Sequence, residues 1–121
     1  MKLRVNLVLM FAVIVFSCFF IHAVHAFNQA DLQKMNTTNS CPKCDLSNAN
    51  ISKTDMYGVN LAGANLSGAN LSDSAFQDAD LTGANMKGAN IKGTSFSGAK
   101  LSDAIWTDGK KCKSGSMGKC K

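Results

Sequence analysis

A five-residue period runs through the middle of this chain and restricts its fold more than any other feature. From Cys44 to Asp108 the sequence divides, without an insertion, into thirteen units, each with a large apolar residue at its third position and a small or medium residue at its first. A period of five matches neither the period of an α-helix nor the alternation of a flat strand. The pattern therefore predicts a solenoid in which short extended segments are joined by turns.

Each position of the unit has its own predicted role. In an extended segment the first and third side chains point inward together, whereas the second points outward. A narrow interior cannot hold two large side chains side by side, which explains why Ala accompanies Leu. The fifth position is often Gly, which adopts the positive φ that tight corners demand.

A second period of twenty residues indicates four units in each coil. Two sets of similar residues recur at this spacing. One is the central residues Met56, Phe76 and Phe96, and the other is the first-position hydroxyl residues Thr54, Ser74 and Thr94. We therefore expect four columns of core side chains, made of Leu46, Leu66, Met86 and Trp106; Ile51, Leu71 and Ile91; Met56, Phe76 and Phe96; and Leu61, Leu81 and Leu101.

The repeated Ala-(Asn/Asp)-Leu-x-x pattern resembles the pentapeptide-repeat family, and the cysteine-bearing ends resemble those of its exported bacterial members. The resemblance implies an all-β solenoid, a right-handed quadrilateral parallel β-helix, here of about three coils. Residues 28–35 predict a short capping helix with Asn28 as its N-cap. Trp106 is expected to cover the last coil.

Residues 1–26 have the layout of a secretory signal peptide that is cleaved after Ala26. Two alternatives stay open: an uncut membrane anchor, and a lipoprotein processed at Cys18. The predicted organisation is a signal peptide 1–26, an N-terminal cap 27–43, a β-helix 44–108 and a basic, disulfide-stapled tail 109–121. The expected location is periplasmic or extracellular.

Four cysteines lie beyond the predicted signal peptide, namely Cys41, Cys44, Cys112 and Cys120. An even number in an exported protein indicates disulfides. Of three connectivities, the length of the rod favours pairing within each end, Cys41 with Cys44 and Cys112 with Cys120. A redox Cys-x-x-Cys motif and a four-cysteine zinc site are the alternatives, but the first lacks a βαβ context and the second requires the two ends to converge.

The residue inventory argues against an enzyme. The sequence contains no Glu, and His22, His25 and Arg4 all lie in the predicted signal peptide. The rest of the chain thus has no imidazole base and no guanidinium, so we predict no catalytic residues, no cofactor and no metal. The expected function is a non-catalytic exported structural or protein-interaction module with a protein partner, and Tyr57, Lys87 and Lys92 form a candidate contact patch.

Two further functions are weighed against this one. The first is a DNA mimic that binds topoisomerase, an activity found in the pentapeptide-repeat family. Export opposes it, and so does the positive charge of the mature chain, since the net charge of +5 falls only to +3 without Lys2 and Arg4. A thiol oxidoreductase would use Cys41 and Cys44. Nucleic-acid binding is not expected, since the lysines concentrate in a tail that is mostly solvated. Membrane contact is expected only if the signal is uncut or Cys18 is lipidated.

Overall fold

The computed structural model describes residues 27–121. The predicted signal peptide, its cleavage after Ala26 and the alternative processing at Cys18 lie outside the described residues. Within these residues there is one α-helix, α1, which spans Gln29–Thr38, and none that combines the length and apolarity of a membrane span. The extended backbone forms isolated β-bridges at single residues, separated by turns, rather than long strands.

The bridges repeat every twenty residues. Between residues 27 and 121, ten parallel bridges join positions twenty apart, beginning with Ser40 and Asn60. The backbone hydrogen bonds follow the same register, so that the amide of Leu66 donates to the carbonyl of Asn85 at 2.7 Å. Because each unit has five residues, four units make one turn of the solenoid, as the second period predicts.

The coil register starts one unit upstream of Cys44. Ser40 already bridges Asn60, and the amide of Cys41 donates to the carbonyl of Asn60 at 2.7 Å. Cys41 itself is 0% exposed and occupies the central position of unit 39–43. The coil thus extends into the segment that the sequence analysis assigns to the N-terminal cap. The sequence pattern does not reveal this unit, because a cysteine stands where the other units have a larger apolar residue. Buried cysteine behaves as a small hydrophobic residue and can fill that position.

The central side chains line the interior. All thirteen are buried except Ile91 and Trp106, which are partly exposed. Phe76 and Phe96 stack with ring centroids 5.8 Å apart and an angle of 21° between the ring planes. The half-buried ring of Trp106 meets Phe96 edge-on at 5.4 Å, so it reaches a column other than its own. Trp106 therefore lies at the end of the core but remains accessible from one side.

The corners explain the Asn and Asp residues of the second position. At Asn70, the side-chain Oδ1 accepts hydrogen bonds from the Ser72 amide at 3.1 Å and the Ser72 hydroxyl at 2.7 Å. The same bond to the backbone amide two residues later occurs at Asp45, Asn50, Asp55, Asn60, Asn65, Asp80, Asn85 and Asn90. These residues form Asx turns, a role that the outward direction alone does not reveal.

The hydroxyl side chains of Thr54, Ser74 and Thr94, which stack at one corner of successive coils, donate hydrogen bonds to backbone carbonyls. The hydroxyl of Ser74, a residue only 2% exposed, donates to the carbonyl of Ile51 at 2.7 Å. One coil further on, the hydroxyl of Thr94 donates to the carbonyl of Leu71 at 2.7 Å. A buried carbonyl without a donor costs about 1–3 kcal/mol. The repeated Thr and Ser of this column therefore have a structural cause.

Helix α1 packs on the first coil. Asn28 is its N-cap, and the side-chain Oδ1 of Asn28 accepts from the Ala30 amide at 2.9 Å. From the first turn of α1, the Asp31 carboxylate accepts from the Asp45 amide at 2.8 Å, which gives a backbone group at the edge of the coil a partner. Met35 is 1% exposed and belongs to the same apolar cluster as the coil interior.

The C-terminal tail returns along the last coil in the antiparallel direction. Antiparallel bridges join Lys100 to Met117 and Ile105 to Lys111. The structure brings the sulfur atoms of Cys112 and Cys120 to bonding distance, with Cα atoms 5.0 Å apart. At the other end the same holds for Cys41 and Cys44, with Cα atoms 5.4 Å apart. This is the pairing within each end that the sequence favours.

Candidate interaction surfaces

Tyr57 projects from the first coil, on the side whose core column is Met56, Phe76 and Phe96, and 60% of its surface is exposed. Its backbone is held on both sides, because its amide donates to the Asp55 carboxylate at 3.0 Å and its carbonyl accepts from the Asn39 side chain at 3.0 Å. The carboxylate of Asp78, at the corresponding corner of the next coil, acts on the pKa of the Tyr57 hydroxyl. The coil thus presents an exposed aromatic ring on a backbone that is held on both sides.

The hydrogen bond to Asp78 raises the pKa of Tyr57, and the negative charge of the same carboxylate acts in the same direction. Tyr57 is the only tyrosine of the chain, so tyrosinate absorbance reports on this residue alone. We expect its titration midpoint to lie above the ordinary value of about 10 and to fall toward it in Asp78→Asn. Far-ultraviolet circular dichroism at each pH shows that the coil stays folded.

The matched control for this titration is Asp73→Asn, a carboxylate at the preceding corner of the same coil. That variant should leave the Tyr57 midpoint in place. A midpoint that does not move in Asp78→Asn, or moves equally in Asp73→Asn, would contradict the assigned hydrogen bond.

The three residues of the predicted patch do not form one surface. By the twenty-residue register, Lys87 lies on the side of the Leu46 column and Lys92 on the side of the Ile51 column, both late in the solenoid. Tyr57 lies on the side of the Met56 column, in the first coil. Lys87 and Lys92 are exposed, and the methylenes of Lys87 lie over Gly109. The two lysines therefore belong with the C-terminal end of the molecule, away from Tyr57.

Positive charge collects at this C-terminal end. Residues 87–121 contain eight lysines and two aspartates, whereas residues 27–86 contain three lysines and six aspartates. A cavity of about 490 Å³ opens beside the tail, and it is lined by Trp106, Asp108, Cys120 and the lysines at 110, 111, 113, 119 and 121. The sequence reveals the basic tail but not this cavity, because the antiparallel return of the tail is a tertiary feature.

The group Asp31, Cys41 and Cys44 brings three candidate metal ligands within 4.8 Å of one another. In the structure the two sulfurs lie at bonding distance from each other, and Cys41 and Cys44 are 0% and 6% exposed. A reactive thiol has to be reached by its substrate, and a disulfide sulfur is not a thiolate ligand. The geometry therefore favours a structural pair at the start of the coil over a redox or metal site.

The bridge register, the buried columns and the turn in every five residues define a β-solenoid of pentapeptide units. The chain belongs to the pentapeptide repeat family, whose model, described as pentapeptide repeats, matches residues 26–68, 40–78 and 69–105 with eight copies. Family membership gives a right-handed β-helix solenoid, and proteins of this family are generally non-enzymatic structural modules.

Several solved structures are similar to this chain. HetL, a pentapeptide repeat protein involved in heterocyst differentiation regulation from the cyanobacterium Nostoc sp. strain PCC 7120, is 35% identical, with a TM-score of 0.43 over 60% of this chain and 32% of HetL. The pentapeptide repeat protein alr5209 from Nostoc PCC 7120 is 28% identical, with a TM-score of 0.39 over 69% of this chain and 76% of its own. This chain thus spans about a third of the length of HetL. A comparison with curated protein sequences gives no match.

Proposed function

We propose that this chain is an exported, non-catalytic module that binds another protein through the exterior of its solenoid. The observation that carries the proposal is Tyr57, which is 60% exposed on a backbone held by hydrogen bonds to Asp55 and Asn39. Tyrosine is enriched among the residues that dominate binding energy at protein interfaces. A tyrosine has few rotatable bonds, and on a fixed backbone it loses little conformational entropy on binding, which favours its use as an anchor.

The absence of catalytic groups supports the non-catalytic part of the proposal. Residues 27–121 contain no His, Glu or Arg. Three of the aspartates, Asp45, Asp55 and Asp80, hold their own corners through Asx turns. The burial of Cys41 and Cys44 weighs against a thiol oxidoreductase, and the lysine-rich C-terminal end weighs against a mimic of DNA.

Export is supported by the layout of residues 1–26 and by two cysteine pairs at bonding distance. In this proposal about three coils are closed by α1 at one end and by the tail at the other. Cell fractionation of the full chain, with sequencing of its amino terminus, should find it outside the cytoplasm and beginning at Phe27. A cytoplasmic chain that retains residues 1–26 would overturn this part.

The protein-binding role is tested by affinity capture of partners from the export compartment with the full chain as bait. We expect wild type to recover a specific partner and Tyr57→Ala to recover about tenfold less, which corresponds to the loss of one interface anchor. Substitution at an exposed position changes stability by only about 0.5 kcal/mol, so the variant should stay folded.

The matched control for this capture is the double variant Lys87→Ala, Lys92→Ala, which changes two exposed residues away from Tyr57. It should retain the partner. Recovery of no specific partner by saturating wild type, or undiminished recovery by Tyr57→Ala, would refute binding through this surface.

A further inference from the structure

We propose that the cavity beside the C-terminal tail is a binding site for an acidic glycan, a sugar polymer that carries carboxylate or sulfate groups. The site lies at the opposite end of the solenoid from Tyr57 and uses different residues. The glycan proposal can therefore be tested independently of the protein-binding proposal.

The backbone around the cavity is fixed at several points. The Trp106 amide donates to the carbonyl of Lys110 at 2.8 Å, and the Lys113 amide donates to the carbonyl of Lys121 at 2.9 Å. The hydroxyl of Ser116 accepts from the Lys121 amide at 3.2 Å. The Cys112–Cys120 pair links the two strands of the loop. The lysines of the lining thus extend from a frame that is formed before any ligand arrives, which lowers the cost of binding.

The positive charge of the cavity is mostly uncompensated. Among residues 27–121 the structure contains a single ion pair, in which the Lys111 ammonium lies 3.3 Å from the Asp103 carboxylate. The other four lysines of the lining have no carboxylate within this pairing distance, and Asp108 is the one acidic side chain beside them. Several like charges around one concave surface raise the local concentration of anions, and they suit a ligand with several negative groups.

Trp106 gives the cavity an apolar wall. Its indole is half-buried and held edge-on against Phe96 at 5.4 Å, so the ring is ordered while part of it faces the lysines. An aromatic ring of this kind packs against the C–H face of a sugar while the surrounding ammonium groups meet its acidic substituents. The volume of about 490 Å³ lies within the range of small-ligand sites, which is about 300–1,000 Å³.

The composition of the site favours a glycan over a nucleic acid. Proteins that bind single-stranded nucleic acid without sequence preference stack successive bases on several aromatic residues. This cavity has one aromatic residue, and the described chain has no arginine for two-pronged phosphate contacts.

The test uses Trp106 as the reporter, because it is the only tryptophan of the chain. Fluorescence titration of the intact protein with a galacturonic acid hexamer and with a heparin hexasaccharide should give a saturable change with at least one of them. The neutral hexasaccharide maltohexaose should give none. In Lys113→Gln, Lys119→Gln, binding should weaken about tenfold, as expected for two lost lysine contacts.

The control variant is Lys34→Gln, Lys53→Gln, which removes the same charge from exposed positions at the other end of the solenoid. It should bind as tightly as wild type. The proposal is overturned if neither acidic glycan binds, if the control weakens binding as much as the cavity variant, or if glycan binds without changing Trp106 fluorescence. Tighter binding of oligo-dT, or of vesicles containing phosphatidylserine, would also overturn it in favour of those ligands.

Discussion

Replacing Phe76 by alanine is expected to lower the free energy of unfolding by about 3–5 kcal/mol. Phe76 is 0% exposed, and its ring stacks on Phe96 at 5.8 Å in the middle of a core column. Its amide also donates to the Ser95 carbonyl of the next coil at 2.7 Å, so little backbone movement is available to refill the space. A domain of this size has a total stability of about 5–15 kcal/mol, and the loss is therefore a large part of it. Urea denaturation followed by circular dichroism measures the change.

The conservative variant Phe76→Leu keeps this prediction testable even if the alanine variant does not fold. Leucine is the commonest central residue of the repeat, so this change should cost less than about 1.5 kcal/mol. Tyr57→Ala, at an exposed position, should change stability by less than about 0.5 kcal/mol. A cost below about 1 kcal/mol in Phe76→Ala, or an equal cost in Tyr57→Ala, would contradict the assigned core.

Removing the C-terminal cysteine pair is expected to cost about 2.5 kcal/mol, from the loop-closure entropy of eight to nine residues. In Cys112→Ala, Cys120→Ala the tail should also loosen from the last coil. The amides of Leu101 and Asp103 donate to the carbonyls of Ser116 and Cys112 at 2.9 and 3.2 Å, so they should lose protection from hydrogen exchange. Alanine avoids burying a new hydroxyl at Cys112, which is 1% exposed.

The control for the cysteine experiment is Cys41→Ala, Cys44→Ala, which acts at the opposite end. Its exchange should increase at the amide of Asp45, which donates to Asp31, while Leu101 stays protected. Four free thiols in the native wild-type protein, or a loss of protection at the same end in both variants, would contradict the proposed pairing.

The repeat could be derived from sequence because each unit shows the same pattern of large and small side chains within five residues, and this pattern recurs in every unit. Each coil needs large side chains at one phase of five and small ones two residues earlier, and any other register would bury Asn and Asp instead. The twenty-residue spacing of Phe76 and Phe96 predicts four units in each coil, and the β-bridges join residues at this same spacing. Unit 39–43 lacks this signal, because Cys41, rather than a large aliphatic residue, fills its core position.

The candidate surfaces could be derived only in part, because they depend on pairs of side chains distant in sequence. The sequence predicts Tyr57 as a contact residue, but the Asp78 carboxylate that raises its pKa lies twenty-one positions away, one more than a full coil. The register could have revealed it, and could have shown that Lys87 and Lys92 lie on other sides. The cavity beside Trp106 follows from the antiparallel return of the tail, for which the repeat offers no signal.

The central claim is that backbone hydrogen bonds join successive coils of twenty residues. Scalar couplings across hydrogen bonds, measured by nuclear magnetic resonance on the isotope-labelled protein, detect each donor and acceptor directly. We predict a coupling from the amide of Leu66 to the carbonyl of Asn85, nineteen residues later, and another at the same separation from Phe76 to Ser95. Couplings from these amides to carbonyls four residues earlier, or at a separation that varies from unit to unit, would contradict it.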